Sequence, residues 1–449
     1  MACCGHPIRR VNKDTPEWSF SRTVALPLAR LTDFIKKDNL VLVAFVPHMP
    51  KIPGAISSPR GAQQRHLLKQ VDAREVLRQL RGPDFDSHKI LERHAGLSSS
   101  RLSAAVSFLA KKGLVEKTCE GKSNAGRQNN ALRIHAGYGH VIGVDIGGSN
   151  VRIALADMKG TVLGKWSAST KRTSSPDVIV EQIRNGVKNL LEDASVPHRS
   201  LLAVAAGAPG VTDVDAGVVV KTSYLKGWKD VPLRSLLESA FRIPVAIEND
   251  VRMAAIGENW MGAARGFDDF VFLAIGTGIA AGVFANGRLI HGTDWTAGEV
   301  GYMHVPGAPE EAARHGTPGS LESIIGGEGI RKQWLHSCNG AGIAATRNLT
   351  ATEIFERARS GDLAAEVVLN RSAKVLAYAV YNISLVLNCA VFILGGGVGM
   401  STPLWAATQR FLERYNDPAQ PKLIVSSLGQ DAQLVGAIRL ALSKADESV

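Results

Sequence analysis

The chain has 449 residues, 45% of them hydrophobic, and a formal net charge of +11. That length suits about three domains, and the hydrophobic share is ordinary for a folded chain, which excludes a disordered or fibrous one. The apolar run LVLVAFV (40–46) is far too short to cross a bilayer, and no signal-peptide pattern precedes it, so a cytoplasmic protein with no membrane partner is expected.

The charge is unevenly placed. Residues 49–139 hold sixteen Lys and Arg against seven Asp and Glu, and residues 1–48 hold seven against four, so everything after position 139 comes to −1. A polyanion partner is expected for the first third only; a merely solvated basic surface is the alternative. The five cysteines (Cys3, Cys4, Cys119, Cys338, Cys389) show no metal or disulfide spacing beyond the adjacent pair, which fits a reducing compartment.

Residues 1–65 lack sustained periodicity, and poor order is expected there. From Val71 the pattern sharpens, with Val71, Val76, Leu77 and Leu80 on one helical face and Gly82-Pro83 as the break. Ser87 caps a second helix that turns Ile90, Leu91 and Ala95 inward. After the Gly96-Leu97 turn, Ser98 or Ser99 caps a third helix with Leu102, Val106 and Leu109 as its buried stripe and Gly113 as its end. Val115 to Thr118 and Ala131 to Ile134 read as two strands joined by a polar, basic loop. Three helices and a basic hairpin make a winged helix-turn-helix over 66–138. Its third helix would present Ser99, Ser100, Arg101 and Ser103 to base edges or phosphates of operator DNA, and Lys122 and Arg127 on the wing would meet the backbone or a minor groove. A helical bundle used for protein contacts is the competing assignment.

Over 139–449 strands and helices alternate in an α/β pattern. His140–Gly147, Asn150–Met158 and Thr161–Ser169 read as successive strands, and a helix carrying Val178, Ile179, Ile183, Val187 and Leu190 follows. LLAVAAGAPGV (201–211) and VAIEND (245–250) are further strands, 268–290 is a hairpin, and CAVFILGGGVGM (389–400) runs into a triple glycine. Three glycine turns each follow an apolar strand: Gly147-Gly148, Gly276-Thr277-Gly278 and Gly395-Gly396-Gly397. Without side chains, their N–H groups can approach phosphate oxygens. None fits the P-loop or dinucleotide spacing.

Together these segments resemble the ROK family (repressors, open reading frames and sugar kinases) of the actin-like ATPase clan, over roughly residues 70–445. The winged helix is a feature of its regulator-type members. DIGGSN (145–150), with Asp145, Gly147, Gly148, Ser149 and Asn150, matches the first phosphate loop, IGTGIAAG (275–282) the second, and ILGGGV (393–398) the base segment. IEND (247–250) matches the sugar-site strand with its catalytic aspartate, and AGEVGYM (297–303) a sugar-binding segment. The resemblance implies a two-lobed fold binding ATP with Mg²⁺. In it Asp250 would be the base, Asn249, Glu299, Tyr302 and Glu322 would face a sugar, and Asp145 would orient Mg²⁺ or its waters. An N-cap on the helix starting at Val251 is the structural role open to Asp250, and a surface-loop carboxylate is the one open to Glu299.

Two departures stand out. The family has His where Tyr302 stands, followed by a zinc-binding cysteine cluster whose positions here are Ala313, His315 and Ser320, so zinc is not expected. Tyr302 still offers a hydroxyl to a sugar. In SYLKGW (223–228), Tyr224 replaces the family's common Asn. Two functions remain: a sugar-responsive transcriptional regulator acting as a homodimer or homotetramer with a sugar or sugar-phosphate effector, and an ATP-dependent hexose kinase, glucokinase-like, carrying a DNA-binding unit. Met49 resembles the start of shorter regulators of this kind, which makes residues 1–48 a candidate over-long reading of the gene.

Overall fold

The computed structural model describes residues 59–82, 88–122, 128–171, 173–308, 319–340, 348–415 and 420–449. The expectations for residues 1–58, Ser87, Arg127, Ala313 and His315 lie outside these residues.

Helix α1 (Pro59–Leu80) begins ahead of the expected domain boundary at 65/66, which falls inside it. Helices α2 (His88–Ala95) and α3 (Ser99–Lys112) follow, then the antiparallel pair β1 (Val115–Lys122) and β2 (Gln128–Ile134). Both strands are longer than their apolar stretches predict. Ala73, Val76 and Leu77 are fully buried, while Val71 is 59% exposed. The inward stripe of α1 starts at Ala73, which keeps the i, i+3, i+4 spacing that Val71 breaks. Leu102, Val106 and Leu109 line the buried face of α3, and Gly113 closes it in the left-handed region at φ 78°. Ser98 holds the N-cap position without a side-chain cap bond.

Two lobes follow. The first has β3 (His140–Ile146), β4 (Asn150–Asp157), β5 (Val162–Ser169), α4 (Pro176–Asp193) and β6 (Leu201–Ala208). A small antiparallel sheet then intervenes, β7 (Val211–Asp213), β8 (Val218–Lys221) and β9 (Lys229–Val231), too short to show in the sequence pattern. Helix α5 (Leu233–Phe241), β10 (Val245–Asn249) and α6 (Asp250–Met261) complete it. Ile179, Ile183, Val187 and Leu190 of α4 are buried as their spacing predicts, whereas Val178 is 49% exposed in the first turn.

The second lobe contains β11 (Phe270–Ile275), β12 (Ile279–Ala285), β13 (Arg288–Leu289), α7 (Glu322–Ile325), α8 (Gly327–Gly340), α9 (Ala351–Arg359) and α10 (Leu363–Leu387). It ends with β14 (Val391–Gly395), α11 (Gly396–Gly399), α12 (Thr402–Glu413) and β15 (Lys422–Val425). The two five-stranded sheets, ordered β10-β6-β3-β4-β5 and β13-β12-β11-β14-β15, share one connectivity. In each, three strands run antiparallel in succession and two parallel strands add beside the first. The turns Gly147-Gly148 and Gly276-Gly278 thus occupy corresponding places in the two lobes.

The last helix, α13 (Ala432–Asp446), returns to the first lobe and packs on α6, β3 and β6. One hydrophobic cluster joins Leu77 and Leu109 of the winged helix to Val141 of β3 and to Ile438 and Leu442 of α13. An ion pair lies within this seam. The Arg81 guanidinium donates to both Asp446 oxygens, 2.9 Å for Nη2 to Oδ1, and to the Met158 carbonyl at 3.2 Å. Both side chains are buried, at 0% and 7% exposure. Nearby, burial and Arg81 push the Arg439 guanidinium down to about 10.

Breaking a buried pair from one side leaves a charge uncompensated, at about 3–5 kcal/mol, while replacing both partners with apolar groups is often neutral. Asp446→Leu is expected to lower the melting temperature clearly, and the double variant Arg81→Met, Asp446→Leu to recover most of the loss. Thermal unfolding checks this. Equal losses in the two variants would show that the pair does not govern the seam.

Candidate functional site

At the end of β10 the chain passes directly into α6. Asn249 is the N-cap: its Oδ1 accepts from Val251 N and Arg252 N, both at 3.0 Å, and its Nδ2 donates to Gly210 O at 3.0 Å and Asp250 Oδ1 at 2.9 Å. The cap role open to Asp250 in the sequence therefore belongs to Asn249, and Asp250 is the first helical residue. Asp250 Oδ1 also accepts from Val251 N at 2.9 Å. The residue is partly exposed. Burial, and then the neighbouring Asp145, push its carboxyl up to about 7.

Below the cap lies a charged layer. The buried Glu248 accepts from Arg252 Nε at 2.7 Å and pairs with His291 Nε2 at 2.7 Å. Burial works to raise its carboxyl, but His291 and Arg252 outweigh it and hold it below the ordinary range. Arg252 also donates to Trp295 O at 2.9 Å and Thr212 O at 3.2 Å, so it ties α6 to the small sheet and to the strand-to-Glu299 segment. Trp295 sits at φ +60°, a region that bulky residues rarely enter.

Asp145, facing Arg152 across the β3–β4 ladder, gives Oδ2 to that guanidinium at 2.6 and 2.9 Å. Its carboxyl is nevertheless raised, because burial exceeds the effect of Arg152. Arg152 reaches on to Gln430 O and to Gln433 Oε1 at 3.3 Å, linking β4 to α13. In that loop, Gly147 N donates to Asn150 O at 2.8 Å, and Ser149 O accepts from Thr170 N at 2.7 Å.

Across the cleft, Gly276 N donates to Gly278 O at 2.9 Å, and Gly327 N to Gly276 O at 2.8 Å. Thr277 is carried at the apex of this turn. Glu322 Oε2 accepts from Ile279 N at 3.2 Å. Burial raises the carboxyls of Glu322 and Glu299, with Arg252 and Lys221 opposing the rise at Glu299. Burial and then these two carboxylates raise the Tyr302 hydroxyl. Tyr224 stands among the same groups: burial, then Glu322, Asp250 and Glu299, push its phenol up to about 12. Asp250, Glu299, Tyr302 and Glu322 thus come together as the sequence expects, and Tyr224 joins them.

The glycines differ in kind. A side chain at Gly395 would strike the Phe272 ring, and Gly396, at φ +76°, would press on Ile275 O, so packing already requires both. Gly276 and Gly397 have open space where a side chain would stand, which leaves their backbone approachable by a ligand. The expected zinc positions give one datum: Ser320 is buried and its Oγ accepts from Val305 N at 3.1 Å. Nothing in the sequence signals Arg152, Glu248, Arg252 or His291, although Arg152 opposite Asp145 on adjacent strands is the one pair that strand register alone makes accessible.

On the winged helix, Ser99, Ser100 and Ser103 are exposed on α3. Arg101 is half-exposed, but its Nε donates to Asp72 of α1 at 3.0 Å, so reaching a base edge requires leaving that partner. Lys122 closes β1, and its side chain lies outside the described residues.

Residues 141–444 match the model of the ROK family. A glucokinase of Halalkalibacterium halodurans is 30% identical over 310 residues, 66% of this chain and 92% of that one. The xylose repressor of Caldicellulosiruptor bescii is 25% identical over 396 residues, 84% of this chain and 96% of that one. The crystal structure of a ROK family transcriptional regulator, a homologue of the E. coli MLC protein, shares the fold at a TM-score of 0.71 and 21% identity, covering 84% of this chain and 97% of its own. The match to the family model over both lobes, and the likeness to repressors that continues through the segment ahead of them, place this chain in the ROK family as a member of its regulator type.

Proposed function

We propose that this protein is a sugar-responsive transcriptional regulator that binds operator DNA through its winged helix and a sugar or sugar phosphate in the cleft between its lobes. One observation carries the proposal. The helix that begins at Asp250 packs on α13, and α13 shares a hydrophobic core with the three helices of the winged unit. A ligand that shifts α6 acts on a body continuous with the DNA-binding helices. The exposed α3 serines and the +9 excess over 49–139 supply polar and electrostatic contact with a phosphate backbone. A cytoplasmic homodimer or homotetramer on a two-fold operator belongs to the same proposal. No helix among the described residues is long and apolar enough to cross a membrane.

A second function, sugar phosphorylation, is favoured by the place of Asp250 at the start of α6 with Asp145 and Glu299 as its charged neighbours, where burial pushes its carboxyl up to about 7, the range a general base needs. The turns fit nucleotide phosphates and Mg²⁺, because Gly276 and Gly397 leave the backbone open and because Asp145 and Asp250 repel each other, a repulsion that a divalent cation relieves. Bound Mg-ATP would supply the transferable phosphoryl group. Asp250 would take the hydroxyl proton, while Glu299 and Glu322 orient the sugar. Asn249, spent on capping α6, would hold Asp250 in place more than it holds a sugar.

A thermal-shift screen of hexoses and pentoses, with and without Mg-ATP, identifies ligands, since binding to the native state raises its stability. For DNA, Lys122→Glu with Arg127→Glu should weaken operator binding at every sequence and flatten the salt slope by about one to two units. An unchanged salt titration removes the wing from the interface. A sugar that melts the protein higher without changing operator affinity would defeat the sensor assignment.

Any sugar-dependent ATP turnover should rise with pH as Asp250 loses its proton and becomes competent as a base, with a midpoint at or below the value of about 7 that it holds without Mg²⁺, because the cation offsets Asp145. Asp250→Asn should lower that turnover roughly 10²–10⁴-fold and remove the rise, with a far smaller effect on sugar affinity. A variant that keeps wild-type turnover and pH profile excludes Asp250 as the base.

A further inference from the structure

Tyr224 belongs to the loop between β8 and β9, and it crosses the cleft. That loop is pinned on both sides. Leu225 and Trp228 are buried, Trp228 Nε1 donates to Ser174 O at 3.1 Å, and Tyr224 N donates to Thr222 Oγ1 at 3.1 Å. At its root, a methyl group on Gly148 of the first phosphate loop would stand 3.4 Å from Tyr224 Cβ and 3.9 Å from its ring. At its tip, a methyl group on Gly278 of the second loop would overlap the Tyr224 hydroxyl and stand 2.8 Å from Glu322 Oε2. One phenol ring therefore runs from the glycine turn of one lobe to the glycine turn and carboxylate of the other.

We propose that Tyr224 is the residue that sets what this cleft accepts: its ring fills the ground between the two glycine turns, so that a nucleoside diphosphate fits and a γ-phosphate does not. A phosphoryl group passing from the first loop to a hydroxyl held by Glu322 and Asp250 must cross the line the ring occupies. The β8–β9 anchors hold the backbone, so the obstruction clears only by rotating the side chain out from between Gly148 and Gly278. The ring also gives the two lobes a contact that needs no nucleotide, which suits a sensor and hinders a transferase. The inference rests on taking the cleft as the sugar and nucleotide site proposed above, and it deepens that proposal by naming what the cleft refuses.

The test compares Mg-ADP with the non-hydrolysable Mg-AMPPNP by calorimetry on the full chain, without sugar. Wild type should bind the diphosphate at least about tenfold more tightly, equivalent to ~1.4 kcal/mol. Tyr224→Ala should bring the two affinities together. Tyr224→Phe, which keeps the ring and the fold, should preserve the gap. Equal affinities in wild type, a gap that survives in a folded Tyr224→Ala protein, a gap lost in Tyr224→Phe, or no binding of either nucleotide would each overturn the proposal. The response of operator affinity to sugar is measured separately, so a failed sensor assignment leaves the nucleotide comparison standing.

Discussion

The contact on which the remaining structure depends is the approach of α6 to α13, backbone against backbone. Any side chain at Gly436 would run into Met253 O, and one at Gly257 would run into Ala432 O and lie 3.0 Å from Gly436 N. Two glycines facing each other allow a separation that no larger residue permits. The consequences lie at the helix ends. Helix α6 begins with Asp250 at the cleft and carries, at Glu258, a buried carboxylate that accepts from Ala263 N at 2.7 Å and Leu428 N at 3.2 Å. Helix α13 follows that 428 segment and finishes at Asp446, in the ion pair with Arg81. One close contact thereby carries Asp250, a tie between the lobes and the seat of the winged helix.

Around this axis, charge is arranged in two ways. At Glu248, Arg252 and His291 the groups are mutually satisfied, and the carboxyl stays low despite burial. At Asp250, Asp145, Glu299 and Glu322 burial wins, and every carboxyl is raised. The satisfied layer fixes geometry, since Arg252 holds both Thr212 and Trp295 carbonyls. The raised layer stores unfavourable charge facing the cleft, which hydroxyl donors from a sugar or a cation would relieve. Perturbed carboxyls concentrated in one cleft make it the candidate functional centre, and the satisfied layer adjoins it, since Glu248 and Arg252 flank Asp250 by two residues each along β10 and α6.

Much of this was legible in the sequence, for local reasons. Glycines after apolar strands, and polar residues at a strand end, announce ligand-facing turns within a few residues, and the three-helix spacing before Gly113 announces the winged unit. The frame error at Val71 came from counting one apolar residue too many on a short stripe. What escaped was non-local. Arg81 and Asp446 are 365 positions apart, and nothing near either marks the other. The Asn249 cap was assigned one residue late because Asn and Asp are equally good capping residues. Tyr224 stood out only as a departure from a familiar pattern. Its span between two glycine turns exists only once both lobes are folded around it.

That span bears on how a cleft ligand could be felt at the winged helix. A ligand shifts an equilibrium only by the difference in its affinity for the two states. Helix α6 and the winged unit form one packed body with the first lobe, so a small sugar held by Asp250 alone would move with that body and change nothing. The second lobe contributes Glu322 and Gly278, and Tyr224 reaches them from the first. A ligand touching Asp250 on one side and Glu322 on the other is sensitive to the distance between the lobes, and it would meet the Tyr224 ring that spans them. In a sensor built this way the sugar would compete with Tyr224 for the same interlobe contacts; a sugar that matched those contacts without altering the separation would bind and report nothing.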